Sequence, residues 1–178
     1  MPRKIIVYIA ISADGYIARP DGDFSWLNRP SVKGDYGIAR FYKKVDTAIM
    51  GRKTYELGVK LGQTGYPGLQ NYVFSRRSRK SDVPYVEFVD DDIPGFAARM
   101  RKAGGKHIWL VGGSEIIAAF LDQGQVDEFI LHVIPILIGA GIPLVHPKFR
   151  NVPLKLVKTR RYSDGVVRLH YRVDNSIK

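Results

Sequence analysis

The apolar runs of this chain are short, β-branched and closed by turn residues, a pattern of buried strands rather than of long amphipathic helices. Three stand out: Ile5 to Ser12, Val45 to Met50 and His107 to Val111. Each leads into a glycine-containing segment (Ala13-Asp14-Gly15, Gly51-Arg52-Lys53-Thr54, Gly112-Gly113-Ser114-Glu115), and the last two continue as helix-like sequence. Strand, glycine turn and helix in succession are the grammar of a mostly parallel α/β sheet. Asn71 to Ser75 and Tyr85 to Val89 read as shorter strands. Ile93, Phe96, Ala97, Met100 and Ala103 recur at helical spacing before the stop Gly104-Gly105. A helix from Ser114 to Leu121 and a strand from Glu128 to Ile134 follow, then a Gly/Pro-rich loop. In the tail, Leu154 to Tyr162 and Val166 to Val173 flank Ser163-Asp164-Gly165, a hairpin signal. The pattern predicts an α/β fold whose mostly parallel central sheet is finished by a C-terminal antiparallel hairpin. Without repeats, low-complexity tracts or linkers, residues 1–178 form one domain.

Composition narrows the chemistry. None of the 178 residues is cysteine, which excludes a disulfide scaffold, thiolate metal sites and a cysteine nucleophile. Histidines 107, 132, 146 and 170 lack metal-ligand spacing, so no metal is expected. Lys and Arg number 28 against 17 Asp and Glu, a net charge of +11 that calls for an anionic partner: nucleic acid, a membrane surface or a phosphorylated small molecule. Met1 to Lys4 followed by Ile5 to Ile11 is too short and too β-branched for a leader. No run approaches the ~20 apolar residues that cross a bilayer. A cytoplasmic protein with no membrane partner is expected.

In open α/β sheets, ligands bind beyond the carboxyl ends of the strands, where helix starts offer free N–H groups. Gly51-Arg52-Lys53-Thr54 is one such start, with two cations and a hydroxyl for phosphate oxygen; the alternative is a helix cap. Val111-Gly112-Gly113-Ser114-Glu115 is another, its paired glycines allowing close approach of a pyrophosphate. Ser75-Arg76-Arg77-Ser78-Arg79-Lys80 ends a strand with four cations in five positions, suited to the 2′-phosphate that distinguishes NADP from NAD, or else to a solvated loop or an RNA contact. Gly-x-Gly-x-x-Gly, the P-loop and the Gly-x-Ser-x-Gly elbow are absent. His132, on a strand aimed at the pocket end, is a candidate substrate contact. The long segment Ala13 to Pro30, with Phe24 and Trp26, reads as a mobile cover over a pocket, the alternative being a surface loop pinned by one Trp.

In this order the pieces resemble the dihydrofolate reductase-like fold, a three-layer α/β architecture. Ile9 to Ala18 is similar to its first strand and active-site loop, with Trp26 where that loop's tryptophan is expected. Thr47 to Glu56 is similar to its second strand and cofactor-binding helix start, and Val111 to Ile116 to its diglycine turn. Within that fold, Val126-Asp127-Glu128 and the loop Pro135-Ile136-Leu137-Ile138-Gly139-Ala140-Gly141-Ile142-Pro143 resemble the reductase domain of the bifunctional deaminase-reductases of riboflavin synthesis, here without the deaminase half. The resemblance implies an NADPH-dependent reductase acting on a phosphoribosylaminopyrimidine. Ala10 and Ile17 would flank the nicotinamide. Gly51, Arg52, Lys53 and Thr54, with Val111, Gly112, Gly113, Ser114, Glu115 and Ile116, would hold the pyrophosphate and adenosine phosphates, and Ser75, Arg76 and Arg77 the 2′-phosphate. Asp35 would be the acid or the substrate-orienting carboxylate, unless it is a helix cap. Trp26, Tyr36, Phe41, Tyr55 and His132 would meet substrate. A homodimer is also implied. A folate-type reductase, or another NADPH reductase of this fold, stays open as an alternative. A nucleic-acid-binding module is the reading from another class, less favoured than a small-molecule site.

Overall fold

A computed structural model describes residues 2–29, 34–77 and 80–174. Pro30 of the expected cover, and Ser78 and Arg79 of the basic cluster, lie outside the described residues. Strands β1 (Ile5–Ser12), β3 (Val45–Gly51), β4 (Gln70–Phe74), β5 (Val86–Val89), β6 (His107–Gly112), β7 (Glu128–Ile134), β9 (Leu154–Arg161) and β10 (Val167–Val173) form one sheet in the order β5-β4-β3-β6-β1-β7-β10-β9. The first six of that order are parallel; β10 runs antiparallel to β7, and β9 antiparallel to β10. Helices α1 (Ile38–Tyr42), α2 (Arg52–Lys60), α3 (Ile93–Lys102) and α4 (Ser114–Asp122) complete the main elements. The parallel sheet with its terminal hairpin is as the sequence pattern implied, with most boundaries moved by one residue.

Alternation along the central strands divides the core in two. Ile5, Val7 and Ile11 of β1, Ile108 and Leu110 of β6, and Phe129 and Leu131 of β7 pack with Phe96, Ala97 and Met100 of α3 and Ile116, Ile117 and Phe120 of α4. The opposite side chains, Ile6 and Tyr8 of β1 and Trp109 and Val111 of β6, pack with Phe41 of α1. Side chains at successive strand positions point to opposite faces, so each strand feeds both layers.

The segment after β1 differs from the expected mobile cover, because it is strapped down. It forms β2 (Tyr16–Ala18), which pairs antiparallel with β8 (Ile142–Pro143). The Asp14 carboxylate accepts hydrogen bonds from the Ser12 hydroxyl (2.6 Å) and from the backbone N–H groups of Ile138 (3.1 Å) and Gly139 (2.8 Å). Gly141 is required where the strands meet, since a Cβ there would lie 2.2 Å from the Ala18 carbonyl oxygen. Length alone suggested a lid; the acceptor two residues beyond β1 turns it into a fixed wall.

Phe96 is fully buried, edge-on to Tyr72 (5.1 Å between centroids) and Phe74 (5.0 Å). Phe96→Ala should therefore cost roughly 3–5 kcal/mol of unfolding free energy, read as a lowered urea midpoint at unchanged slope. A loss below 1 kcal/mol would show that α3 is not a principal part of the core.

Candidate active site

Three adjacent strands supply the floor of a cavity of about 440 Å³: Tyr8 and Ala10 from β1, Trp109 and Val111 from β6, His132 and Ile134 from β7. All lie on the α1 side, because Ala10 pairs with His132 across β1 and β7 and each set steps by two along its strand. Leu27, Arg29, Asp35, Tyr36, Ile38 and Tyr66 add the walls. The Trp109 indole N–H donates to the Tyr8 carbonyl at 3.0 Å, and the Tyr8 ring stacks on Phe41 with centroids 4.3 Å apart. The floor is therefore aromatic and held rigidly from below, suited to a flat ring.

One backbone carbonyl, that of Tyr36, organises the polar side. It accepts from the Tyr162 hydroxyl at 2.8 Å and lies 3.3 Å from His132 Nε2 and 3.5 Å from the Tyr8 hydroxyl. Tyr36 is a non-glycine residue in the left-handed region, with φ +52°. That conformation costs of order 1 kcal/mol and persists only when neighbours over-determine it. Here they do, since the Tyr36 hydroxyl also donates to Asp164, which Arg29 pairs with at 3.1 Å. Burial, the largest influence, holds His132 down at about 4, so its imidazole is uncharged at neutral pH; Tyr36 is pushed up to about 12, mainly by burial and by Asp164.

Asp35 stands on the rim of the cavity and is exposed. Its carboxylate accepts from the N–H groups of Ala39 and Gly37, both at 2.8 Å, and these bonds lower its pKa. Fixed as an ionised cap on the start of α1, it has no proton to give at neutral pH. Its geometry is that of an anchor and not of an acid.

Beyond the strand ends, the starts of α2 and α4 adjoin. A Cβ on Gly113 would lie 3.3 Å from Thr54 Oγ1, and one on Gly51 would lie 3.8 Å from Ile116. Neither start has a side-chain cap, so first-turn N–H groups of both helices are left for an anion. The Ser114 hydroxyl is buried there without a hydrogen-bond partner, an unsatisfied group that a phosphate oxygen would complete. The cations are differently occupied: Arg52 pairs with Glu56 and Lys53 Nζ with Glu115 Oε1, each at 2.8 Å. Ser75 Oγ donates to the Arg77 carbonyl at 3.0 Å, shaping a turn that leaves Arg76 and Arg77 exposed. Glycines at a close approach, two helix starts and an orphaned hydroxyl fit the phosphates of a dinucleotide.

Of the substrate contacts expected from sequence, Tyr36 and His132 line the cavity; Trp26, Phe41 and Tyr55 do not. Trp26 packs on Ile134 and Val166, Phe41 lies beneath Tyr8, and Tyr55 sits edge-on to Phe88 at 5.4 Å. Ala10 and Val111 line it as well, whereas Ile17 packs into the core on the α3 and α4 side. Tyr8, Trp109 and Tyr66 were missed, although Tyr8 and Trp109 could have been found from strand period, two positions before Ala10 and Val111.

The sequence model of the RibD C-terminal domain matches residues 3–168. The uncharacterized protein YwjB of Bacillus subtilis (strain 168) is 39% identical over 173 residues, 96% of this chain and 98% of that protein. YyaP of the same organism, also uncharacterized, is 33% identical over 181 residues, 95% of this chain and 94% of that one. The crystal structure of a candidate riboflavin biosynthesis protein from Shewanella sp. PV-4 superposes with a TM-score of 0.85 at 26% identity, covering 98% of this chain and all of that one. A deaminase and 5-amino-6-(5-phosphoribosylamino)uracil reductase from Thermotoga maritima shares the fold with a TM-score of 0.73 at 16% identity; 97% of this chain spans only 57% of it.

The state of His132 is open to measurement. Its folded pKa of about 4 lies below the ordinary 6.5, so the neutral form favours the fold above pH 6.5, and that contribution is lost as pH falls from 6.5 toward 4. Between pH 7 and 4.5 the wild type should lose ~2 kcal/mol more than His132→Gln in urea unfolding. Equal losses would mean that folding does not lower the His132 pKa.

Proposed function

The chain belongs to the RibD C-terminal domain family, and from that premise we propose that it is an NADPH-dependent reductase resembling 5-amino-6-(5-phosphoribosylamino)uracil reductase, which delivers hydride to a small heterocyclic or ribosyl substrate in the aromatic cavity. The observation that carries this reading is the pair of uncapped helix starts, with the unpartnered Ser114 hydroxyl, beside a cavity floored by Tyr8, Ala10, Trp109 and His132. When bound, the nicotinamide supplies the hydride; the protein supplies placement, exclusion of water and a proton. Gly51, Thr54 and Gly112 to Ile116 would hold the pyrophosphate. Arg52 and Lys53 would exchange their glutamate partners for phosphate oxygens, and Ser75, Arg76 and Arg77 would face the 2′-phosphate. Ala10 and Val111, on the floor, would flank the nicotinamide. Asp35 would fix α1 over the substrate. The family resemblance also favours a homodimer, the cysteine-free sequence suits the cytoplasm, and dihydrofolate is the alternative substrate.

At 100-fold excess over its dissociation constant a ligand stabilises a fold by about 2.7 kcal/mol. NADPH should raise the thermal midpoint by several degrees, and by more than NADH at equal concentration. Equal shifts, or none with either, would remove the cofactor claim. Spectrophotometric NADPH consumption with the aminopyrimidine ribose phosphate and with dihydrofolate then decides the substrate; turnover of dihydrofolate alone would displace the riboflavin-type reading. An Asn at position 35 can still accept a backbone N–H, so Asp35→Asn should lower kcat by less than about tenfold, whereas loss of an acid catalyst would cost ~100-fold or more.

A further inference from the structure

The cavity holds a hydroxyl whose proton has no good acceptor in the protein. His132 Nε2 lies 3.3 Å from the Tyr36 carbonyl oxygen, and a carbonyl only accepts, so this contact is a hydrogen bond in the tautomer that carries its hydrogen on Nε2. A ring nitrogen that donates cannot also accept from the Tyr8 hydroxyl, 3.5 Å away. The Tyr36 carbonyl has two lone pairs, and Tyr162 at 2.8 Å and His132 at 3.3 Å use both. Tyr8, at 3.5 Å from the same oxygen, is the third and longest contact. Its ring cannot turn away, being stacked on Phe41 and flanked by His132 with centroids 4.8 Å apart. The phenol, 8% exposed, therefore keeps its hydrogen for what enters the cavity.

We propose that the Tyr8 hydroxyl is the proton donor of this site, delivering its hydrogen to the nitrogen or oxygen of the substrate's reducible C=N or C=O bond. The proposal rests on the reductase reading above. As hydride forms the new C–H bond, the π electron pair moves to the heteroatom. That atom takes the Tyr8 proton as the O–H bond breaks. The phenolate left behind regains a proton from water at the mouth of the cavity. Substrate thus gains one hydride from the reduced cofactor and one proton that comes ultimately from solvent.

Three other polar groups of the cavity are engaged elsewhere. Asp35 is ionised and bound to two N–H groups, the Tyr36 hydroxyl is committed to Asp164, and the His132 hydrogen is committed to Tyr36. Burial raises the Tyr8 pKa most; Tyr162 and Asp35 raise it further and Arg168 opposes them, so the donor stays protonated throughout the neutral range. The proton-transfer step should be insensitive to pH between about 6 and 9, as it would not be for a carboxylic acid.

Two measurements test the role. Side-chain nitrogen NMR of His132 in the free protein at pH 7 should show the Nε2–H tautomer; the Nδ1–H tautomer would make Nε2 an acceptor for Tyr8 and overturn the proposal without any turnover assay. With whichever of the two compounds the wild type reduces, Tyr8→Phe should lower kcat about 100-fold while KM moves less than threefold. A Tyr8→Phe rate within threefold of wild type, or a larger loss in Tyr66→Phe, would also overturn it. Stabilisation by NADPH tests the reductase reading separately. NADPH binding with the wrong tautomer defeats only the Tyr8 role, whereas no NADPH binding defeats the reading and the role together.

Discussion

The side-chain period of three neighbouring parallel strands is the constraint on which the rest of this structure depends. In β6, β1 and β7 every second residue belongs to the layer under α3 and α4, and the others to the layer that holds α1 and the cavity. Because the strands are in register, with Ile6, Val7 and Tyr8 beside Glu128, Phe129 and Ile130, the two sets stay separate across the sheet. A slip of one residue in β1 would send Tyr8 and Ala10 into the α4 layer and turn Val7 to the cavity side. Site geometry and core packing are thus specified by the same alternation.

A second constraint is the limited accepting capacity of one carbonyl. The left-handed backbone at Tyr36 is held by Tyr162 on its carbonyl and by Asp164 on its phenol, both from the turn between β9 and β10. The hairpin is therefore joined to the rim of the cavity, and a distortion of that turn would be felt by His132 and Tyr8. Desolvation works in the same direction: it keeps the imidazole neutral and the phenol protonated, so hydrogen-bond direction and not charge sets the polarity of this wall.

Much of the fold was legible in the sequence because strand boundaries carry local signals. Glycines close β3 and β6, the Ser163-Asp164-Gly165 turn separates β9 from β10, and Asp92 caps α3 by accepting from the Gly95 N–H. The helix starts at Gly51 and Gly113 were legible for the same reason. Less of the cavity was, because its contents depend on non-local pairing. Phe41 and Tyr55 have aromatic spacing that suits a slot, yet packing decides that one lies under Tyr8 and the other against Phe88. Asp35 could be matched as acid or cap from sequence, and only the N–H groups it meets distinguish the two. The cover was misjudged because loop length says nothing about Asp14, whose carboxylate ties the loop to residues 138 and 139.

Charge shows how far a sequence count falls short of an electrostatic field. Arg52 and Lys53 stand at a helix start, as a phosphate site requires, yet each is already paired with a glutamate, and Lys53 reaches across to the first turn of α4 through Glu115. A phosphate entering there meets the N–H groups and Ser114 first, and gains the cations only by displacing carboxylates; the pull of those cations is the difference between two pairings. Elsewhere the surplus has a different use. Strand β9 is the open edge of the sheet and is exposed along its whole length, with Leu154, Leu156 and Val157 uncovered. Lys155, Lys158, Arg160 and Arg161 on that strand set like charges against any second β9 that approached it, which is how edge strands are kept from pairing indiscriminately. Part of the +11 is thus explained by where the sheet ends, independently of what the cavity binds.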